Sequence, residues 1–323
     1  MTRFGYTLMT EQSDPRDLVR FAARAEEAGF DFEVSSDHFN PWLAAQGHAP
    51  NAWSVLGAVT QATSAVELMT YVTCPIMRYH PAVVAQQAAT TQLLSEGRFT
   101  LGLGAGENLN EHIVGRGWPP VNVRHEMLVE AVEIISALFD GGYVNYKGDH
   151  FRVDSAKLWD RPDLRVPVAV AVSGAQSVRR FAPLADHMVA VEPDSGLCSA
   201  WDKLARTESR KIGQIPISWD LDRDAAVTRA HEQFRWFGGG WKVNAELPGP
   251  SAFAAATQFV REDDVAAGIP CGPDAGEIVK AVSAYWEAGF TDIALVQIGG
   301  DAQEDFFAFA RDELLPALRE AAA

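Results

Sequence analysis

Cysteine is scarce in this 323-residue chain, which has three, at positions 74, 198 and 271. An odd, scattered set argues against a disulfide framework and fits a reducing cytoplasm. It matches no zinc-ligand spacing either. Basic residues are also few: 27 Lys and Arg stand against 43 Asp and Glu, a formal net charge of −16. So acidic a chain repels a phosphate backbone, which argues against nucleic acid as a partner. Any anion site must rest on local cations and backbone N–H groups. Long apolar runs are missing as well. No stretch reaches the roughly 18 consecutive apolar residues of a membrane span. The opening MTRFGYTLMTEQSD turns polar within a few residues, so no secretory leader is expected.

What is present is an alternation. Hydrophobic residues make up 47% of the chain, enough for a large core. Strand-like apolar runs at 4–9, 31–36, 66–74, 98–106, 166–174, 187–193, 215–221 and 291–299 alternate with amphipathic segments. The latter read as helices at 15–30, 54–64, 81–97, 125–141, 177–185, 201–213, 224–237, 274–290 and 304–320, several closed by a glycine. Strands alternating with helices imply parallel strands and right-handed crossovers. Nearly eight such units over this length predict a closed (β/α)₈ TIM barrel within a single domain, 1–323. Residues 241–274 break the rhythm and read as an insertion or lid.

Chemistry in such barrels gathers where strands end. Four unusual stretches fall there: 37–42 (DHFNPW), 74–80, 102–110 (GLGAGENLN) and 173–176 (SGAQ). His38 reads either as a general base or as a loop histidine bonded to backbone. Trp42 offers a flat apolar wall for a ligand, or packs the loop. The glycines at 102, 104 and 106 do not match a dinucleotide loop. They suit close backbone approach to a ligand instead. Glu107 is then either a desolvated proton donor or a helix-capping acid. The start of a helix at 173–177, with Arg179 and Arg180 nearby, suits an anion. His48, His80 and His112 share no metal-ligand spacing, so no metal is expected.

Taken together, DHFNPW at 37–42, RYHPAVVAQ at 78–86 and GLGAGENLNE at 102–111 resemble the bacterial luciferase-like superfamily. Within it they are most similar to the branch that uses the deazaflavin coenzyme F420. The resemblance implies a homodimeric (β/α)₈ barrel with the ring at the C-terminal rim, hydride transfer to or from a small organic substrate, and FMN as the alternative cofactor. It makes His38 the base for the substrate hydroxyl, Trp42 the wall at the reacting carbon and Glu107 the acid beside the ring. Asp37 would contact the cofactor, and Tyr71 and Val72 would form a non-proline cis peptide behind the ring. Cys74, Gly106, Asn110, Ser173, Gly174 and Ala175 would line the ring and the phosphate-bearing tail. One departure stands out. Where sugar-phosphate dehydrogenases of this branch carry a lysine, this chain has Asp194, and a carboxylate repels a phosphate. Arg261 and Lys242 are the remaining candidate cations. A neutral alcohol, ketone or activated alkene is therefore the expected substrate. A cofactor-binding protein without turnover is the competing reading from another class.

Overall fold

The computed structural model describes residues 2–323. Its first five strands are β1 (Arg3–Leu8), β2 (Phe32–Ser35), β3 (Glu67–Thr70), β4 (Phe99–Leu103) and β5 (Val144–Lys147). Then come β6 (Arg152–Ala156), β7 (Val168–Ala171), β8 (His187–Val189), β9 (Lys211–Ile217) and β10 (Asp292–Gln297). All but β5 and β6 join in a closed barrel of order β1-β10-β9-β8-β7-β4-β3-β2. Every barrel pair is parallel, and β1 closes on β10 with Arg3 opposite Asp292.

Strand alternation divides the core in two. Phe32, Val34, Met69, Ala169, Val189, Ile212 and Ala294 fill the barrel interior. The other face of the strands packs against helices. These begin with α1 (Pro15–Ala28), α2 (Ala52–Ala62), α3 (Pro81–Leu94), α4 (Asn108–Glu111), α5 (Val121–Asp140), α6 (Ala175–Phe181) and α7 (Ser195–Asp202). They continue with α8 (Arg223–Phe234), α9 (Trp241–Asn244), α10 (Pro250–Ala256), α11 (Glu262–Gly268), α12 (Ala275–Glu287), α13 (Gln303–Phe309) and α14 (Leu315–Ala321). Helix α1 shows the local logic. Asp14 caps it by accepting from Arg16 N, Pro15 opens it, and Gly29 ends it at φ 95°, a left-handed turn that glycine adopts without a Cβ clash.

Three differences from the sequence reading have physical causes. The run 201–213, rich in helix formers, is helical only to Asp202. Its second half is captured by the sheet: Met188 N donates to the Arg210 carbonyl and Lys211 N to Thr291 Oγ1. Tertiary pairing overrides propensity there. Residues 144–156 form an antiparallel hairpin outside the barrel. Only one of its nine strand residues, Val153, is buried, so its apolar alternation is too weak to read. The last helix is interrupted by a π turn at Ala310–Leu314.

The 241–274 segment is helical, as α9 to α11 and the turn that leads into α12. The chain leaves the wall after β9 and returns where Cys271 bridges Ser218. Between these points Trp236, Phe253, Val265 and Ile269 pack with Met9, Trp42, Leu43, Leu109, Val296 and Ile298. This cover therefore rests on residues at or just past strand ends, at the C-terminal mouth.

Candidate active site at the barrel mouth

His38 sits just past the end of β2, with 8% of its surface exposed. Its Nδ1 lies 3.0 Å from Glu11 Oε1, an ion-pair distance at which the N–H is poorly aligned for a hydrogen bond. Its Nε2 lies 3.4 Å from Glu107 Oε2. The Trp42 ring is centred 5.0 Å from the imidazole. Burial works to lower the imidazole pKa, but the charges of Glu11 and Glu107 outweigh it and raise the value to about 9. His38 is thus an imidazolium at neutral pH, buried between two carboxylates.

Glu11 is fully buried in the 3₁₀ turn Thr10–Gln12 that follows β1. Ser36 Oγ and Thr10 Oγ1 donate to its Oε2. Burial pushes its pKa up, yet His38 and the Ser36 bond hold it below the usual carboxylate value. Motif reading does not single out Glu11, because LMTEQSD carries no motif. Its position at a strand end was the available signal.

A second charge chain runs beside the first. Asp37 accepts from Thr73 Oγ1 at 2.7 Å, Arg78 Nη2 at 3.1 Å and Tyr79 OH at 3.3 Å. Arg78 also reaches Glu111 through its backbone N (2.8 Å) and Nε (3.4 Å). Burial raises Glu111 to about 7 against the pull of Arg78. Burial, with Glu111 adding to it, lifts the Cys74 thiol well above its ordinary value. Arg78 and Glu111 lie inside the motifs RYHPAVVAQ and GLGAGENLNE, but the sequence alone assigns them no role.

The two chains meet at α4. Asn110 is buried; its Nδ2 donates to Glu107 Oε2 (2.8 Å), and its Oδ1 accepts from Phe39 N and Asn40 N. One amide thereby ties the Glu107 loop to the His38 loop. Gly106 turns the chain into α4 at φ 77°, and a Cβ there would strike Cys74 Sγ. Trp42 is held by Gln46, whose Oε1 accepts from Trp42 N at 2.8 Å. Its indole stacks on Trp236 from the cover at 4.0 Å and 8°, with Phe253 edge-on at 5.1 Å. Trp236 and Phe253 lie far from Trp42 in the chain, beyond the reach of any local motif.

The remaining expected residues also stand at this mouth. The Tyr71–Val72 peptide is cis. Val72 and Ala171 are half-buried on top of the interior core, and a Cβ on Gly104 would meet Val72 Cγ2 at 2.6 Å. Ser173, Gly174 and Ala175 lead from β7 into α6, where Ser177 Oγ accepts from Ser173 N and Gly174 N. His80 caps α3 through Nδ1, and Asp194 caps α7 by accepting from Gly196 N and Leu197 N. Arg261 is exposed and pairs with Asp264, and Lys242 is exposed on α9. Among the described residues no cluster of His, Cys, Asp or Glu is placed to hold a metal ion, and no helix is long and apolar enough to cross a membrane. A groove of about 420 Å³ is lined within the cover by residues that include Phe234, Phe259, Val265 and Ile269, and His38, Trp42 and Glu107 do not line it.

The luciferase-like monooxygenase family model matches residues 1–292. The chain belongs to this family. Its relatives include an F420-dependent glucose-6-phosphate dehydrogenase from Amycolatopsis mediterranei, 35% identical over 99% of both chains. An F420-dependent hydroxymycolic acid dehydrogenase from Mycobacterium tuberculosis is 34% identical over 98% of this chain and 88% of its own. Among solved structures, an F420-dependent secondary alcohol dehydrogenase in complex with an F420-acetone adduct superposes with a TM-score of 0.90. It is 32% identical, and the match covers 98% of this chain and 99% of that one. A monooxygenase from Streptomyces bottropensis, at 18% identity and TM-score 0.74, shares the fold.

Proposed function

We propose that this luciferase-like protein is an F420-dependent oxidoreductase that interconverts a small neutral alcohol and its ketone, with His38 handling the proton. The observation that carries this reading is the buried imidazole held between Glu11 and Glu107 at the barrel mouth, against Trp42. Val72 and Ala171 would offer a flat deazaflavin ring an apolar bed, and the glycine at 104 lets Val72 lie against the end of β4. Tyr71, Val72, Cys74, Gly106 and Asn110 would hold the ring, Asp37 would fix the loop that faces it, and Ser173, Gly174 and Ala175 would meet its phosphate-bearing tail.

F420, when bound, accepts or supplies a hydride at its ring. In the oxidising direction the deprotonated form of His38, which grows as pH climbs toward about 9, takes the substrate's hydroxyl proton, and in the reducing direction the imidazolium returns it. Glu11 holds the imidazole and stabilises its charged form. Trp42 and the cover exclude water and limit the orientations open to the carbinol carbon. Glu107 stands beside His38 as the second carboxylate that supports its charge, and would serve as the acid beside the ring only once it has taken up a proton.

The charge pattern argues for a neutral substrate. Glu11 and Glu107 flank the imidazole, Arg78 is committed to Asp37 and Glu111, and Asp194 is a helix cap. A sugar phosphate would lack its counter-ion. Three free, buried cysteines suit a cytoplasmic enzyme, and a homodimer is part of the same reading. The test is titration of the purified protein with F420 and with FMN, followed by secondary alcohols and glucose 6-phosphate as hydride donors. Saturable F420 binding with bleaching of the deazaflavin by a secondary alcohol is expected. Binding of FMN alone, or turnover with glucose 6-phosphate alone, would overturn the proposal.

A further inference from the structure

Trp42 is 5% exposed beneath Trp236 and Phe253 of the cover, and His38, beside it, is 8% exposed. Beside its apolar packing on Trp42, Leu43 and Leu109, the cover has a polar edge, or seam, against the barrel. Asn108 N donates to the Ala245 carbonyl at 3.0 Å, and Asn108 Nδ2 to the Glu246 carbonyl at 2.9 Å. Arg124 Nη2 pairs with Glu246 Oε1 at 2.8 Å. Arg124 is itself immobilised: it is 2% exposed, its guanidinium lies 4.2 Å from the Trp118 ring centre, and Nη1 donates to the Pro119 carbonyl. Glu246 is half-exposed on the cover. On the cover side the seam follows Gly238-Gly239-Gly240, with Gly240 at φ 72°, a tract with unusual backbone freedom. On the barrel side it grips Asn108, the residue directly after Glu107.

That adjacency carries the inference. Resting on the acid–base reading above, we infer that closing the cover and seating Glu107 against His38 are one event, with Glu246 and Asn108 as positioning residues. The seam holds the first turn of α4 and, together with the Asn110 amide, sets where the Glu107 carboxylate falls. An open cover releases that turn and leaves the pair unassembled, so substrate closure completes the site.

The test compares Glu246→Ala with Glu246→Gln, which keeps an oxygen for Arg124. With F420 and a secondary alcohol, Glu246→Ala is expected to lower kcat by about fivefold, as loss of a half-exposed ion pair allows. The F420 affinity should stay unchanged, and Glu246→Gln should recover part of the loss. The alkaline limb of the pH–rate profile should also move to lower pH in Glu246→Ala. Glu11 and Arg78 still face His38, but Glu107 no longer supports its charge. A fall in kcat with an unmoved limb would overturn the inference. Hydrogen exchange on the free protein tests the coupling without any cofactor. Amides 106–111 should speed up together with 241–249 in Glu246→Ala, and faster exchange confined to 241–249 would overturn the coupling. If the wild type binds no F420, the function proposal falls while this exchange result still decides the coupling.

Discussion

At the N-terminal end of the barrel, Arg3 and Arg210 both clamp Glu67, and Arg3 Nε reaches Asp292 at 3.0 Å. Two guanidinium groups meet two carboxylates at the starts of β1, β3, β9 and β10, around a void of about 10 Å³. At the C-terminal end, Glu11, Asp37, Glu107 and Glu111 crowd around one guanidinium and one imidazole. One end is balanced and closed. The other is over-supplied with acid, which keeps His38 charged well past its ordinary pKa. Balanced pairs hold a fold together, whereas an unbalanced cluster shifts protonation equilibria and marks the chemical end.

Substitutions can break this contrast. His38→Asn should have the largest effect, a fall in turnover of about 10²- to 10⁴-fold, as expected for loss of a general base. F420 titration should show near wild-type affinity; retained turnover would remove His38 from the chemistry. Glu11→Gln comes next. It removes one of the two charges that raise His38, so the imidazole pKa should drop by about 1 unit or more. NMR titration of the imidazole would measure this, and an unmoved value would mean that Glu107 alone sustains it.

At the closed end, burial works to raise the Glu67 pKa, but Arg3 and Arg210 hold it below its usual value. Its contribution to stability is therefore complete at neutral pH and lost as pH falls through the carboxylate range. Glu67→Ala should cost about 1 kcal/mol after allowance for solvent screening. Denaturant unfolding would report it, with turnover unaffected. His38 has the opposite sign. Its raised pKa stabilises the fold below the ordinary imidazole value, and that stability is lost as pH climbs through about 9. The smallest effect should come from added inorganic phosphate, which is expected to leave the KM for a secondary alcohol unchanged. Competitive inhibition would reveal a cation that the mouth hides.

Much of the mouth was legible because the relevant residues sit in short segments after strands. DHFNPW and GLGAGENLN fall where the barrel rule puts chemistry, whereas the Tyr71–Val72 cis peptide lay inside the strand read at 66–74 and was expected only from the family resemblance. Glu11 obeys the same rule but has no motif around it. Arg78 and Glu111 stand inside motifs, yet their pairing with Asp37 depends on how two loops fold together. The Trp42–Trp236 stack and the Glu246 seam were illegible, because contacts across such sequence distances leave no periodic trace. The 144–156 hairpin is hidden because it buries too little to impose a pattern. Residues 201–213 mislead because their helix propensity is strong where sheet pairing decides.

The most direct measurement is the pH dependence of kcat/KM for F420-linked oxidation of a secondary alcohol. A single rising limb with an apparent pKa near the value of about 9 held by His38 is predicted, absent in His38→Asn. A flat profile across that range, or a limb that survives the substitution, would contradict the assignment of the proton to this imidazole.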